Sequence, residues 1–125
     1  MMTRFSACIE MLFVPETADI AERIPLARAA GFDLVEFWLW TNKDLDAIER
    51  ALGETGVKLA GMVAEPFAEL TRASDHNRFL AGLEKSRDVA IRLGAPILIC
   101  QSGPLLEGVE RARQHDDLLT AMARS

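Results

Sequence analysis

The feature that most constrains the fold is an alternation of short apolar segments with longer segments of helical periodicity, repeated four times along the 125 residues. Segments that are apolar almost throughout, such as ILIC at residues 97–100, are typical of strands in a parallel sheet covered on both faces. Each longer segment can cross over and return the chain to a parallel neighbour. The alternation predicts four βα units, with strands over residues 5–12, 34–39, 58–63 and 97–101 and helices over residues 19–30, 74–93, 106–123 and between Asn42 and Gly56.

Polar residues and glycines predict where the helices begin and end. Asp19 followed by Glu22 resembles a capping box, in which each side chain binds a free amide of the first turn. Pro25 lies within the same segment and predicts either a kink or a later helix start. Gly94 ends the third helix. The predicted buried stripe of that helix consists of Phe79, Leu83, Ser86, Ala90 and Leu93.

Two architectures fit four consecutive βα units: a doubly wound open sheet and half of an eight-stranded barrel. The loop at residues 13–17 contains no glycine, so neither a dinucleotide fingerprint nor a P-loop follows the first strand. A response-receiver type of open sheet is disfavoured because no acidic pocket follows that strand and residues 62–64 at the end of the third strand lack an aspartate. Composition and periodicity alone leave the choice between the two architectures open.

The charge balance excludes some classes of partner. The chain has 14 Lys and Arg against 19 Asp and Glu, for a net charge of −5, and such an acidic chain is poorly suited to binding nucleic acid. Its apolar stretches are too short to span a membrane. The two cysteines, Cys8 and Cys100, lie in apolar runs far apart in sequence. We therefore expect two buried thiols and a cytoplasmic protein without a disulfide framework.

Three segments carry a resemblance to a known family. Residues 5–13 (FSACIEMLF) resemble the opening strand of hydroxypyruvate isomerases, and residues 29–37 (AAGFDLVEF) resemble their next signature, which joins the first helix to the second strand. Residues 92–99 (RLGAPILI) are similar to their approach to the fourth strand. The resemblance implies the N-terminal half of a xylose-isomerase-like (β/α)₈ barrel, of the sugar isomerase/epimerase superfamily, as a single domain over residues 1–125.

The resemblance also implies a chemistry and a limit to it. Members of this superfamily move a proton next to a carbonyl, using a divalent Mn or Mg ion and a pair of Glu residues, and these groups lie on the fifth to eighth strands. We therefore expect no catalytic residue, metal ligand or cofactor within this chain, and a metal only in the complete barrel. Residues 63–70 (VAEPFAEL) depart from the family's usual third-strand loop, so the resemblance points to the superfamily rather than to hydroxypyruvate as substrate.

Active sites of such barrels lie at the carboxyl ends of the strands, and this rule selects the candidate site residues. Glu36 is a carboxylate within an apolar strand, where it either binds substrate or forms a structural ion pair. Trp38 and Trp40 are two residues apart and are expected to share one face, either as the wall of a sugar pocket or packed under a helix. The predicted substrate-binding residues are Phe13, Glu36, Trp38, Trp40, Glu65 and Gln101.

Three further polar residues are expected to be structural. Glu10 on the first strand either points to the barrel interior or pairs with a helix-facing Arg, and we favour the pairing. His76 is expected to be solvated at a helix start, and His115 to lie on the surface of the last helix. Because a metal site needs several convergent ligands, neither histidine predicts one.

Two functions follow from this reading. The first is a barrel of the isomerase/epimerase type whose ligand is a small sugar or hydroxy-acid. The second is a non-catalytic half-barrel that serves as a binding or subunit-assembly module. A half-barrel has two unpaired strand edges, so we expect the chain to form a homo-oligomer or to pair with a complementary half-barrel, and not to bind nucleic acid or membranes.

Overall fold

The computed structural model describes residues 3–125, and over this range the chain alternates between strand and helix as predicted. The strands are β1 (Ser6–Cys8), β2 (Leu34–Glu36), β3 (Lys58–Val63) and β4 (Leu98–Ile99). The helices are α1 (Ile20–Ala29), α2 (Leu45–Thr55), α3 (His76–Leu93) and α4 (Arg111–Arg124), with a short 3₁₀ turn, Ala73–Asp75, before α3.

All four strands are parallel and pair in their order along the chain, β1-β2-β3-β4. In a doubly wound sheet the strand order reverses at a switch point, and helices cover both faces. Here the order does not reverse, so right-handed crossovers place α1, α2 and α3 on the same face of the sheet. This resolves the choice between the two architectures: the chain is a (βα)₄ half-barrel.

The hydrophobic core lies between the sheet and the helices. Ala7, Val35 and Leu59 are aligned across three neighbouring strands, and all three are buried. They pack in one cluster with Ile24 of α1 and Ile48 of α2. Because side chains alternate along a strand, the neighbouring positions must face away from the helices.

That opposite surface, here called the helix-free face, carries Cys8 aligned with Glu36 and Val63 aligned with Ile99. Ile97, two residues before Ile99, shares this face, and the two isoleucines are 57% and 47% exposed. In a closed barrel this face forms the packed interior. The half-barrel therefore exposes apolar surface that a complete barrel would bury.

The predicted helix caps are mostly confirmed. Asp19 Oδ1 accepts a hydrogen bond from Ala21 N at 2.8 Å, which fixes the start of α1, and the helix continues through Pro25. The second half of the predicted capping box is wrong, because Glu22 accepts from Thr17 Oγ1 at 2.5 Å instead of binding the amide of Asp19. Because α1 begins at Ile20 and continues through Pro25, the proline does not mark the start of the helix.

The strands are shorter than predicted, except for β3, whose bounds match. After Cys8 the chain turns, with the amides of Met11 and Leu12 both donating to the Cys8 carbonyl at 3.1 and 2.9 Å. The fourth helix starts later than predicted because Gln114 holds the preceding loop: its side chain accepts from Leu106 N and donates to the carbonyls of Leu106 and Val109. None of the helices between residues 3 and 125 is long and apolar enough to cross a membrane.

Candidate active site

The carboxyl end of β2 holds the candidate with the clearest position. Glu36 lies on the helix-free face beside Cys8, and it is partly exposed. Within residues 3–125 its carboxylate has no hydrogen-bond or ion-pair partner. The ion pair considered as an alternative is therefore not found for Glu36 among residues 3–125, and a contact between Glu36 and substrate stays a prediction.

Glu10, at the end of β1, forms an ion pair, but not with the arginine expected. Its Oε1 lies 2.5 Å from Lys43 Nζ and accepts a 3.2 Å hydrogen bond from Trp38 N. The Lys43 side chain is 6% exposed, and its ammonium lies 5.4 Å from the centre of the Phe37 ring, within range of a cation–π interaction. The pair therefore fixes the end of β1 against the segment that follows β2.

The buried arginine of α1 has a different task. Arg23 is 6% exposed, and its guanidinium donates to the main-chain carbonyls of Ile9, Thr17 and Ala18 at 2.8–3.2 Å. Its hydrogen bonds fix the β1–α1 loop. Arg23 therefore does not form an ion pair with Glu10, which pairs with Lys43 instead. Sequence could not distinguish these two cations as partners, because both contacts depend on the folded loop.

The two tryptophans do not share a face, so that prediction is wrong. Trp38 is 48% exposed and alternates with Phe37, which is buried in the core, so it extends the helix-free face. Trp40 packs instead against the core, and its Nε1 donates to Ser86 Oγ of α3 at 2.9 Å. Regular strand geometry ends at Glu36, and the strict alternation therefore does not reach residue 40.

Glu65, after β3, braces a neighbouring loop. Its Oε2 accepts hydrogen bonds from Trp40 N at 2.6 Å and Thr41 N at 2.9 Å, and its Oε1 accepts from Thr41 Oγ1 at 2.7 Å. Its own amide donates to Ser86 Oγ at 2.9 Å. Both carboxylate oxygens are thus used by the β2–α2 loop, and a contact between Glu65 and substrate stays a prediction.

The last two candidates lie at the ends of β1 and β4. Phe13 has a positive φ of 65° and packs, half-buried, against the core. Gln101 is exposed and lines an open cleft of about 430 Å³ with Glu69, Asp75 and Arg78. Hydrogen bonds to Asp75 from the Glu69 amide and then from Arg78 lower the pKa of its carboxyl. The roles of Phe13 and Gln101 in substrate binding stay predictions.

Three expectations about lone polar residues can be compared with the structure. His76 is buried, so the prediction that it is solvated is wrong. Its Nε2 lies within hydrogen-bond distance of the Leu70 carbonyl oxygen, at 2.9 Å. His115 is on the surface of α4, as expected. Both thiols are free, but the prediction that both are buried is wrong. Cys100 is exposed because it follows β4, an outer strand of the sheet, and Cys8 is only partly buried because it lies on the helix-free face.

The residues present do not assemble the ligand set that a divalent ion needs. Between residues 3 and 125 no three His, Cys, Asp or Glu side chains gather at one point. On the helix-free face Glu36 offers one uncommitted carboxylate, whereas Glu10 is already paired with Lys43. One carboxylate is too few for a protein metal site, and the expectation that a metal is held only in the complete barrel stays a prediction.

Fold and site together define the class: half of a (β/α)₈ barrel with polar and aromatic side chains at the carboxyl ends of its strands. Comparison with known proteins agrees with this class. The chain is 32% identical, over 126 aligned positions, to a putative hydroxypyruvate isomerase of Streptomyces coelicolor, and the match covers 89% of this chain and 44% of that protein. No protein-family model matches the sequence.

Solved structures show the same fold. A family 2 AP endonuclease from Brucella melitensis superimposes with a TM-score of 0.85 at 24% identity, over 96% of this chain and 48% of that one. D-allulose 3-epimerase from a Methylomonas species, in complex with D-allulose, gives 0.60 at 21% identity, over 83% and 39%. The chain thus spans about half the length of the proteins it matches. The resemblance to the N-terminal half of hydroxypyruvate isomerase-like, xylose-isomerase-like barrels is confirmed.

Proposed function

We propose that this chain provides the substrate-binding half of an isomerase or epimerase that moves a proton next to the carbonyl of a small sugar or hydroxy-acid. The observation that carries the proposal is Glu36, a carboxylate without a partner in residues 3–125 that lies on the helix-free face at the end of β2. The likeness to a hydroxypyruvate isomerase and to a sugar epimerase supports this reaction class.

Each residue in this proposal has a task that suits its chemistry. Glu36 accepts hydrogen bonds from substrate hydroxyl groups, and Trp38 offers its ring to the apolar side of the carbon chain. Gln101, at the end of β4, supplies an amide that can both donate and accept. We propose that the proton-transferring Glu pair and the divalent metal ligands come from polypeptide other than these residues, so the chain alone binds without turnover.

The proposal can be tested by titrating the nitrogen-15-labelled chain separately with hydroxypyruvate and with D-allulose while recording NMR spectra. The protein has two tryptophans, so each indole N–H gives one resolvable signal. We expect the Trp38 signal to shift with at least one compound, and the Trp40 signal to stay fixed because its N–H is bonded to Ser86. A shift at Trp40 alone, or no shift at either tryptophan up to the solubility limit, would contradict the proposal.

A matched pair of variants isolates the carboxylate. Glu36→Ala removes a charged acceptor and should weaken binding roughly tenfold, the usual effect of losing a hydrogen bond to a charged group. Glu54→Ala removes an exposed carboxylate from α2, on the outer side of the half-barrel, and should leave affinity unchanged. Equal losses in the two variants would mean that general charge, not Glu36, determines binding.

The alternative function, a non-catalytic binding or assembly module, is favoured by the unpaired edge of β4. It predicts that neither compound moves the Trp38 signal while the chain still associates through that edge. The titration therefore separates the two functions.

A further inference from the structure

We propose that two copies of this chain close one eight-stranded barrel, with β4 of each copy adding to β1 of the other. This inference rests on strand edges, the shape of the sheet and exposed apolar surface, and it describes the 125-residue chain without the polypeptide that would supply the proton-transferring Glu pair, since that polypeptide and a second copy would pair with the same edges. It assigns an occupant to the helix-free face: a second copy of the same chain.

The first support is the orientation of the edge groups. The carbonyls of Ile97 and Ile99 accept hydrogen bonds from Met62 N of β3, at 3.2 Å, and from Ala64 N just after it, at 3.0 Å. In a parallel sheet alternate residues bond to opposite sides, so the N–H and C=O of Leu98 point away from β3. β1 is the other outer strand, and within residues 3–125 it pairs only with β2. Each edge is a row of main-chain groups ready to pair with another strand.

The second support is that these two edges are complementary. Because all four strands are parallel, a twofold rotation about the barrel axis brings β4 of each copy beside β1 of the other in parallel orientation. Both contacts form at once, and the eight strands then close without a free edge. The twofold rotation also makes the two contacts identical, so a closed dimer leaves no edge for further growth.

The third support is the shape of the half-barrel. It superimposes over 96% of its length on 48% of a barrel-type chain, with a TM-score of 0.85, so it keeps the shape of half a barrel instead of flattening. A second copy therefore has the right curvature to complete the circle. Closure would bury Ile97 and Ile99, which are half-exposed on the helix-free face.

A second copy would add its own residues to the candidate site. Closure would place two β2 strands opposite each other in one barrel, separated by four strand positions on either side. Each brings its own Glu36 to the same end of the interior. The dimer would thus hold a pair of carboxylates facing one cavity, whereas one chain holds a single uncommitted one.

The test uses the 125-residue chain itself. Light scattering during size-exclusion chromatography should give twice the 13.8 kDa of one chain. Each copy carries a charge of −5, so association should strengthen as salt is added. Amide exchange at Leu98 should slow at least tenfold as concentration rises through the dissociation constant, because the β4 edge becomes paired.

Two aspartate substitutions provide the matched comparison. Ile99→Asp places a charge on the helix-free face and should weaken the dimer about 100-fold, whereas Ile91→Asp places one on α3, where the isoleucine is already 71% exposed, and should have no effect. Circular dichroism of both variants checks that each chain stays folded; if Ile99→Asp unfolds, the Leu98 exchange measurement decides alone.

Three outcomes would overturn the proposal. They are a monomer at all concentrations, a dimer that Ile91→Asp disrupts while Ile99→Asp does not, and a dimer in which exchange at Leu98 is unchanged. A monomer that binds the separately expressed C-terminal half of the Streptomyces coelicolor relative would assign the same edges to a different polypeptide.

Discussion

The contact between α3 and the loop after β3 depends on the missing side chain of Gly82. A Cβ at this position would lie within 3.0 Å of Pro66 Cδ and of the Glu65 carbonyl carbon and oxygen, atoms that cannot move aside without displacing the main chain. Overpacking of this kind costs about 3 kcal/mol. Alanine also gains about 1 kcal/mol over glycine in a helix, so Gly82→Ala should destabilise the fold by about 2 kcal/mol net.

The control is a second helical glycine with open space around it. Gly53 lies in α2, and no atom outside its immediate neighbourhood lies within 4 Å of a Cβ built on it. Gly53→Ala should therefore show only the helix gain, about 0.5–1 kcal/mol of added stability. Urea unfolding followed by circular dichroism measures both variants, which should differ from the wild type in opposite directions. The reasoning fails if Gly82→Ala is as stable as the wild type, or if both variants change alike.

The remaining predictions concern three polar contacts. Ser86→Ala should cost about 1 kcal/mol in the same urea assay, because it leaves two partly buried N–H donors, Trp40 Nε1 and Glu65 N, without an acceptor. Lys43→Met should cost about 2 kcal/mol by leaving Glu10 unpaired, and adding Glu10→Gln should restore part of the loss in a double-mutant cycle. The hydrogen bond from Arg92 holds the pKa of Asp46 below its ordinary value of 3.8, so the pair stabilises the fold above about pH 4 and loses this effect as the carboxyl is protonated at lower pH. Arg92→Ala should return that pKa towards 3.8 in a carbon-13 NMR titration.

The order of elements was predictable because each βα unit carries its own periodicity and its own end signals. β3 begins and ends at the predicted residues. β1 was predicted too long because residues 9–12 continue the apolar pattern, yet they form a turn in which Met11 is 66% exposed. Apolar sequence indicates what can be buried in a complete barrel, and this half-barrel leaves part of it uncovered.

The site was predictable where it follows strand ends and unpredictable where it depends on loops. The position of Glu36 on the helix-free face follows from its strand, and its role in substrate binding stays a prediction. The same rule selected Trp40 and Glu65, but in the structure these residues contact other parts of the protein. The Glu65 carboxylate accepts a hydrogen bond from Trp40 N, and Glu65 N donates to Ser86 Oγ, so both contacts join segments distant in sequence. Lys43 was missed because nothing local distinguishes a lysine that will be buried beside Glu10 from one in solvent.

The contrast among the three glutamates explains how the site could be organised. Glu10 and Glu65 each satisfy their carboxylates with groups from the segment after β2, and so they fix that segment from both sides. Glu36 lies on the strand that this segment extends, and it is the one of the three with no partner within residues 3–125. A binding group acts best when neighbouring contacts hold it in place, because a ligand then need not supply the cost of ordering it. Glu10 and Glu65 therefore hold the segment that follows Glu36, and this arrangement is the reason why Glu36 is the residue on which we test substrate binding.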